Sequence, residues 1–239
     1  MKAVEYKVKH YYQPTNTSCG YASLAMLLSY YGSKDNPDTV IKKINIRNHG
    51  KVPGDSSITA QLAAWLAGQG YKVTFFSFDN QITDLSWADL NQNEILKRLE
   101  KAKDVRDVSA VGGKEWSKTY TQAYIDLIKN GGELKIQPYV TSKLLYGLLQ
   151  AGPVFANISS TTLHGKGRQK MTGLRKSVPD DMNGHTATHS VVIYGNDANG
   201  NFLVADPWNG LITIEPETMT VIITAAQIEC DNQVFVISK

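Results

Sequence analysis

The chain has 239 residues, enough for one large domain or for two lobes sharing a cleft, and its 42% hydrophobic and 20% charged content is that of a folded protein. A net charge of +3 is too small for a concentrated basic face, so nucleic acid is not expected as a partner. No apolar run approaches the roughly 18 residues that would span a membrane, so no membrane is expected either. The opening MKAVEYKVKHYY lacks the apolar core of a secretory signal, and the expected location is cytoplasmic, or outside by a route that needs no such signal.

In chain order, residues 20–31 are apolar nearly all the way round, which predicts a buried central helix with Asn16, Thr17 or Ser18 as its cap and Gly32 as its stop. Asp55, Ser56 and Ser57 precede a second helical run, ITAQLAAWLAG, closed by Gly68 and Gly70 and followed by the strand-like YKVTFFSF. Helical spacing recurs over 91–103, 117–129 and 141–150, separated by Gly112-Gly113 and Gly131-Gly132. After Pro153 the character changes. PVFANI, SVVIYG, NFLVAD, LITI and VFVIS are short β-rich runs parted by turns such as NDANG, while TVIITAAQIE fits strand or helix. The stretch 159–188 is the least regular, and Lys166, Arg168, Lys170, Arg175 and Lys176, with no acid among them, read as a long basic loop. This order predicts an α+β fold in a single domain over 1–239. A mainly helical lobe covers 1–150 with an insertion near 80–140, a mainly antiparallel sheet lobe covers 151–239, and the site lies between them.

Two cysteines, Cys19 and Cys230, cannot build a disulfide framework, and neither sits in a C-x-x-C pair. Cys19 stands where its helix begins, and there the free N–H groups and the dipole favour a thiolate. The plainer alternative is a small buried hydrophobe. A nucleophilic thiol needs a base, and the base an orienting group. Of five histidines, His10 and His49 have no carboxylate placed to help, and His164 falls in the basic loop; all three are expected in solvent. His185 and His189 have the spacing of a metal pair on a helix, but the HExxH glutamate is missing and a β-run follows, so neither metal nor cofactor is expected. His189 opens the strand SVVIYG, and Asp206 closes NFLVAD 17 positions later, across the turn NDANG. Hairpin pairing brings the head of one strand to the tail of the other. Gln13, six positions before Cys19, is within reach of the same place as an oxyanion donor.

With these residues in place, the sequence resembles the papain-like cysteine peptidases, and among them the bacteriocin-processing double-glycine peptidases. The shared features are Q-x5-C-G-x-A-x3-M-x4-Y-G over Gln13 to Gly32, LLQAGPVFANI at 148–158, and HSVVIYG followed by ADPW within 189–208. The resemblance implies a papain-like fold, Cys19 as nucleophile, His189 as general base and acid, Asp206 as its orienter and Gln13 as oxyanion donor. It further implies a protein or peptide substrate cut after a Gly-Gly pair, with Trp208 either walling the cleft or lying in the core. No transporter domain follows, so a stand-alone form is expected. Some stand-alone relatives are toxins delivered between bacteria, which would add an inhibitor or immunity protein as a partner. Two other readings share the sequence: a papain-like acyltransferase using the same thiol, and a recognition domain without catalysis.

Overall fold

The computed structural model describes residues 2–46, 56–106, 113–165, 167–173, 176–229 and 232–239. His49, Asp55, Gly112, Lys166, Arg175 and Cys230, all used in the sequence reading, lie outside the described residues. The short strand β1 (Val4–Glu5) precedes α1 (Cys19–Tyr30), α2 (Pro37–Ile44) and α3 (Thr59–Gly68). Next come β2 (Lys72–Ser77), α4 (Gln92–Val105), α5 (Lys114–Lys129), β3 (Glu133–Ile136) and α6 (Ser142–Leu148). After β4 (Val154–Ser159) and the brief α7 (Ser160–His164) the chain forms β5 (Gln169–Gly173) and β6 (Lys176–Pro179). The long β7 (Thr188–Asn196), β8 (Phe202–Asp206), β9 (Gly210–Ile214), α8 (Pro216–Ala225) and β10 (Gln233–Ser238) complete it.

The α+β expectation is borne out. One sheet runs β3-β2-β10-β4-β7-β8-β9, with β1 paired to β7, and it is antiparallel except between β2 and β3. Strands from the first 150 residues therefore share a sheet with those of the last 89. Alternation along the central strands decides the layering, because successive side chains point to opposite faces. Phe155, Val192 and Phe235 pack with α1, α3, α4 and α5 on one face. Val154, Ala156, Val191, Ile193 and Val234 pack with α6 and α8 on the other. A sheet covered on both faces accounts for the unbroken apolar runs VVIY and VFVI. Phe235 stacks between Phe155 and Phe75, with ring centroids 4.6 and 6.1 Å away.

Helix α1 is buried from Gly20 to Leu28, as its all-round apolarity predicts, and Gly32 follows it at φ +89°. Its start departs from the expected cap. Ser18 occupies the cap position, but its hydroxyl accepts from the Thr15 N–H and Oγ1 and gives nothing to the first turn. Helix α3 likewise begins after Ile58, not after one of the three polar residues before it, and Gln61 Oε1 holds the Ile58 N–H at 3.1 Å. The ambiguous TVIITAAQIE belongs to α8 and a 3-10 turn, where Met219, Ile222 and Ile223 recur at helical spacing against the sheet. The stretch expected as an irregular loop is corrected more sharply. Here stand the helix α7 and an antiparallel hairpin of β5 and β6, whose two strands pair with each other as a small sheet apart from the main one.

One irregularity sets the geometry of the site. On β7, Ile193 pairs with Val204 and Gly195 with Leu203, so Tyr194 is an extra residue, a β-bulge. With Val192 opposite Ala205, continuing the ladder puts Val191 opposite Asp206 and gives His189 the same facing as Asp206. A regular ladder from the turn onward would put those two side chains on opposite faces.

Candidate active site

Cys19 begins α1 and His189 lies near the start of β7, the strand against which α1 packs. Gly20 lets the helix start lie close to α3 and the residues just before it. A Cβ there would come within 2.3 Å of Ser57 Oγ and 3.0 Å of Leu62 Cδ1, so any side chain would push the helix start away from its neighbours. The Cys19 thiol is half-buried and hydrogen-bonds to His189 and to Ser190. His189 Nε2 lies 2.7 Å from Asp206 Oδ1, which leaves Nδ1 as the nitrogen for the thiol. Asp206 is fully buried, and its carboxylate is surrounded by donors. Oδ1 also accepts from the N–H groups of Trp208 (2.7 Å) and Asn209 (3.2 Å), and Oδ2 accepts from Asn209 Nδ2 at 2.7 Å.

The electrostatics follow from these contacts. Burial pushes the Cys19 thiol up, but the hydrogen bond and positive charge of His189, helped by Ser190, outweigh it and leave the thiol below its ordinary value. Burial pushes His189 down, yet its bonds to Asp206 and Cys19 raise it to about 10. Burial would raise Asp206 as well, but His189, Asn209 and Trp208 together hold it well below the carboxylate range. The arrangement favours a thiolate and an imidazolium side by side, with a carboxylate behind the ring.

Gln13 is 1% exposed and is anchored through its own N–H to the Pro207 carbonyl at 2.9 Å, which ties it to the chain just after Asp206. Its Nε2 donates to the Thr15 carbonyl at 2.6 Å and retains a second hydrogen. Trp208 is half-buried and lines a cleft beside His189, together with Gln13, Asn16, Thr188 and Asn209. The opposite wall is built from Ser160, Thr161 and His164 of α7 and from Gln169 and Ser177 of the hairpin. The structure thus brings Cys19, His189, Asp206, Gln13 and Trp208 to one place. His185 stays apart: it is exposed, and its backbone pairs with Gln169. Among the described residues, no group of three or more His, Cys, Asp or Glu side chains is placed to hold a metal ion.

Two of the histidines expected in solvent are engaged. The His10 ring meets the Asp206 carbonyl oxygen at 2.8 Å, and His164 Nε2 accepts a hydrogen bond from Asn209 Nδ2 at 3.1 Å. Both lie far from Asp206 in sequence, and no local pattern marks them. Ser190 was also missed. Its Oγ donates to Asn157 Oδ1 at 2.8 Å, Asn157 Nδ2 donates to Thr59 Oγ1, and its carbonyl takes the Ser23 hydroxyl at 2.8 Å. This buried chain pins α1 and α3 to β4 and β7 under the thiol. A signal for Asn209 is present, since aspartate followed at two and three positions by available N–H groups is an Asx turn.

Thiol, imidazole and carboxylate thus stand in line, an arrangement that can hold a thiolate beside an imidazolium. Comparison with known proteins points the same way: residues 5–105 match the model of the "Peptidase_C39 like family", a segment that contains Gln13 and Cys19. The chain is similar to the C39-like cysteine peptidases. It is also similar to a crystal structure described as a candidate C39-like peptidase from Bacillus anthracis. Identity there is 14%, coverage is 100% of this chain and 98% of that one, and the TM-score is 0.45, a likeness too distant to argue from. No curated protein matches the sequence. No helix among the described residues is long and apolar enough to cross a membrane.

Proposed function

We propose that the protein is a cysteine peptidase in which Cys19 attacks the carbonyl carbon of a peptide bond. The single observation that carries the reading is the hydrogen-bonded line from Cys19 through His189 to Asp206. The Cys19 sulfur forms a bond to the carbon, and the charge that develops on the oxygen is met by the Cys19 N–H and the free hydrogen of Gln13 Nε2. His189 gives its proton to the departing amine as the C–N bond breaks, leaving a thioester on Cys19. The neutral imidazole then takes a proton from water, whose oxygen displaces the sulfur and restores the ion pair. Asp206 keeps the ring in the orientation that both transfers need.

Cleavage after a Gly-Gly pair is part of this proposal. It is supported by the resemblance to double-glycine peptidases and by the bulk of Trp208 at the cleft, since a walled slot admits a chain where side chains are absent. Mass spectrometry of new protein N-termini, in cells making the enzyme or its Cys19→Ala variant, tests both parts. New termini only with the intact thiol, each preceded by two glycines, are the expected result. The same termini from both enzymes overturn the mechanism; thiol-dependent termini preceded equally often by Ala-Ala overturn the glycine preference alone.

A further inference from the structure

Beneath the thiol lies a row of polar side chains that the mechanism above does not use. Asn157 on β4 and Ser190 on β7 are direct partners across the sheet, and alternation puts both on the face of Phe155 and Val192, where α1 and α3 pack. Thr59, the first residue of α3, completes the row. Exposures of 1% for Thr59 and Asn157 and 7% for Ser190 leave these groups to their protein partners, with little room for water to substitute. Ser190 is held in place by its carbonyl, which accepts from the Ser23 hydroxyl of α1 at 2.8 Å. Its own hydroxyl has two claimants. It donates to Asn157 Oδ1 at 2.8 Å, and it also lies within hydrogen-bond reach of the Cys19 sulfur, as does the Ser190 N–H. A hydroxyl carries one hydrogen, so one acceptor is served at a time.

The far end of the row shows how the conflict resolves. Asn157 Nδ2 donates to Thr59 Oγ1, and the Thr59 hydroxyl donates no bond of its own among the described residues. With a hydroxyl at each end, the Asn157 amide fits as well turned over. Thr59 then donates to Oδ1, Nδ2 donates to Ser190 Oγ, and the Ser190 hydrogen is free for the sulfur. Turning the amide keeps both of its bonds and adds one to a charged acceptor, the strongest kind. We propose that Ser190 is a further catalytic group, whose hydroxyl donates a hydrogen bond to the Cys19 thiolate, and that Asn157 and Thr59 are the positioning residues that turn it there. The inference rests on the peptidase reading above in taking the thiolate as the working form of Cys19. No proton leaves its heavy atom; the three side chains rotate. A thioester sulfur is neutral and accepts poorly, so acylation lets the row swing back, and the hydroxyl meets the sulfur again as the C–S bond breaks. The titratable groups bearing on the sulfur are His189 on β7 and, behind it, Asp206 on β8, whereas α3 and β4 bring only neutral groups to the row.

The pH dependence of Cys19 alkylation by iodoacetamide, followed by mass spectrometry of the peptide that carries it, reads the thiolate without any cleavage. Ser190→Ala keeps the backbone N–H and loses the hydroxyl, and its midpoint is expected about one pH unit above that of the unaltered protein. Ser190→Thr keeps a hydroxyl and is expected to stay within roughly a few tenths of a unit. Thr59→Val keeps the shape at a place that is not bonded to the sulfur. Losing that donor weakens the polarisation passed along the row, and a rise of roughly a few tenths of a unit is expected. A Ser190→Ala curve that coincides with the unaltered one overturns the bond to the sulfur. Equal displacement in Ser190→Thr assigns the shift to packing and overturns it as well, and an unmoved curve in Thr59→Val overturns the turning amide. Each of these results leaves the peptidase reading standing, because nothing is cleaved in the measurement. Absence of thiol-dependent new N-termini in cells overturns that reading instead, and leaves the alkylation curves to decide the row by themselves.

Discussion

The two walls of the cleft are built on different principles. The wall with Cys19, His189 and Asp206 belongs to the central helix and the main sheet, and it is stitched by the Thr59–Asn157–Ser190 chain beneath the thiol and by four donors around Asp206. The facing wall has no buried residue in α7, and its hairpin is a sheet of its own. Its described side-chain bonds to the first wall are Asn16 to the Gly173 carbonyl and Asn209 to His164, and the Ala187 N–H to Thr161 Oγ1 bond and the Gln169–His185 bridge fasten it to the approach to β7. Bond-making requires fixed geometry, and burial supplies it. Selection needs a surface that can differ without disturbing the chemistry. Changes in the first wall should therefore strike every substrate alike, and changes in the second should distinguish among substrates.

The largest effect expected is Cys19→Ala, which removes the proposed nucleophile and should lower turnover on the order of 10⁶-fold while circular dichroism and melting stay native-like. Turnover that survives in this variant would remove the first wall from the chemistry. Next comes Asp206→Asn, which leaves the shape but places an N–H donor where four donors now converge; hydrolysis should fall by roughly two to four orders of magnitude. Its pH signature sharpens the comparison. Because the thiol lies below its ordinary value, alkylation of Cys19 by iodoacetamide should rise at lower pH than that of a free thiol. Hydrolysis should decline on the alkaline side near pH 10, where His189 loses the proton that the proposed mechanism passes to the amine. In His189→Ala the alkylation curve should move to higher pH, and an unmoved curve would show that the ion pair does not govern the thiol.

Gln13→Ala removes the proposed oxyanion donor and should cost roughly 10²- to 10³-fold in turnover, for small esters and proteins alike. A loss confined to protein substrates would move Gln13 from the chemistry to binding. The smallest effect is assigned to the hairpin. Arg168, Lys170 and Lys176 are exposed on it, and replacing all three by glutamine should slow cleavage of an acidic protein several-fold at low salt, less at high salt, with little change for a small ester. Equal slowing of both substrates would erase the distinction between the walls.

Much of the first wall is legible in the sequence because its signals are local. All-round apolarity announces α1, a polar run marks its start next to Cys19, and the NDANG turn folds the strand ends carrying His189 and Asp206 together. What escapes is what depends on distant partners. His10 reaches the Asp206 carbonyl across 196 positions, and His164 reaches Asn209 across 45, and nothing near either histidine predicts it. The hairpin escapes for another reason. Its strands are short, QKMTG and KSVP, with a single Met or Val among polar residues, Gly and Pro, too little for a period to show. The split between a helical half and a sheet half fails for β2 and β3, since a strand's place in a sheet is settled by its neighbours and not by its position in the chain.

The bulge at Tyr194 carries a consequence for how the length of β7 can vary. The strand holds one residue more than the ladder needs between the turn and His189. Loss of a single residue from 191–193 can be absorbed by drawing Tyr194 into regular pairing, which returns His189 to the phase it now has. Only apolar residues change sides, between two layers that are both apolar. Gain of a residue has no such reserve and turns His189 away from Asp206 unless a second bulge forms. The strand is therefore a chain with one link of slack, forgiving of a deletion and intolerant of an insertion.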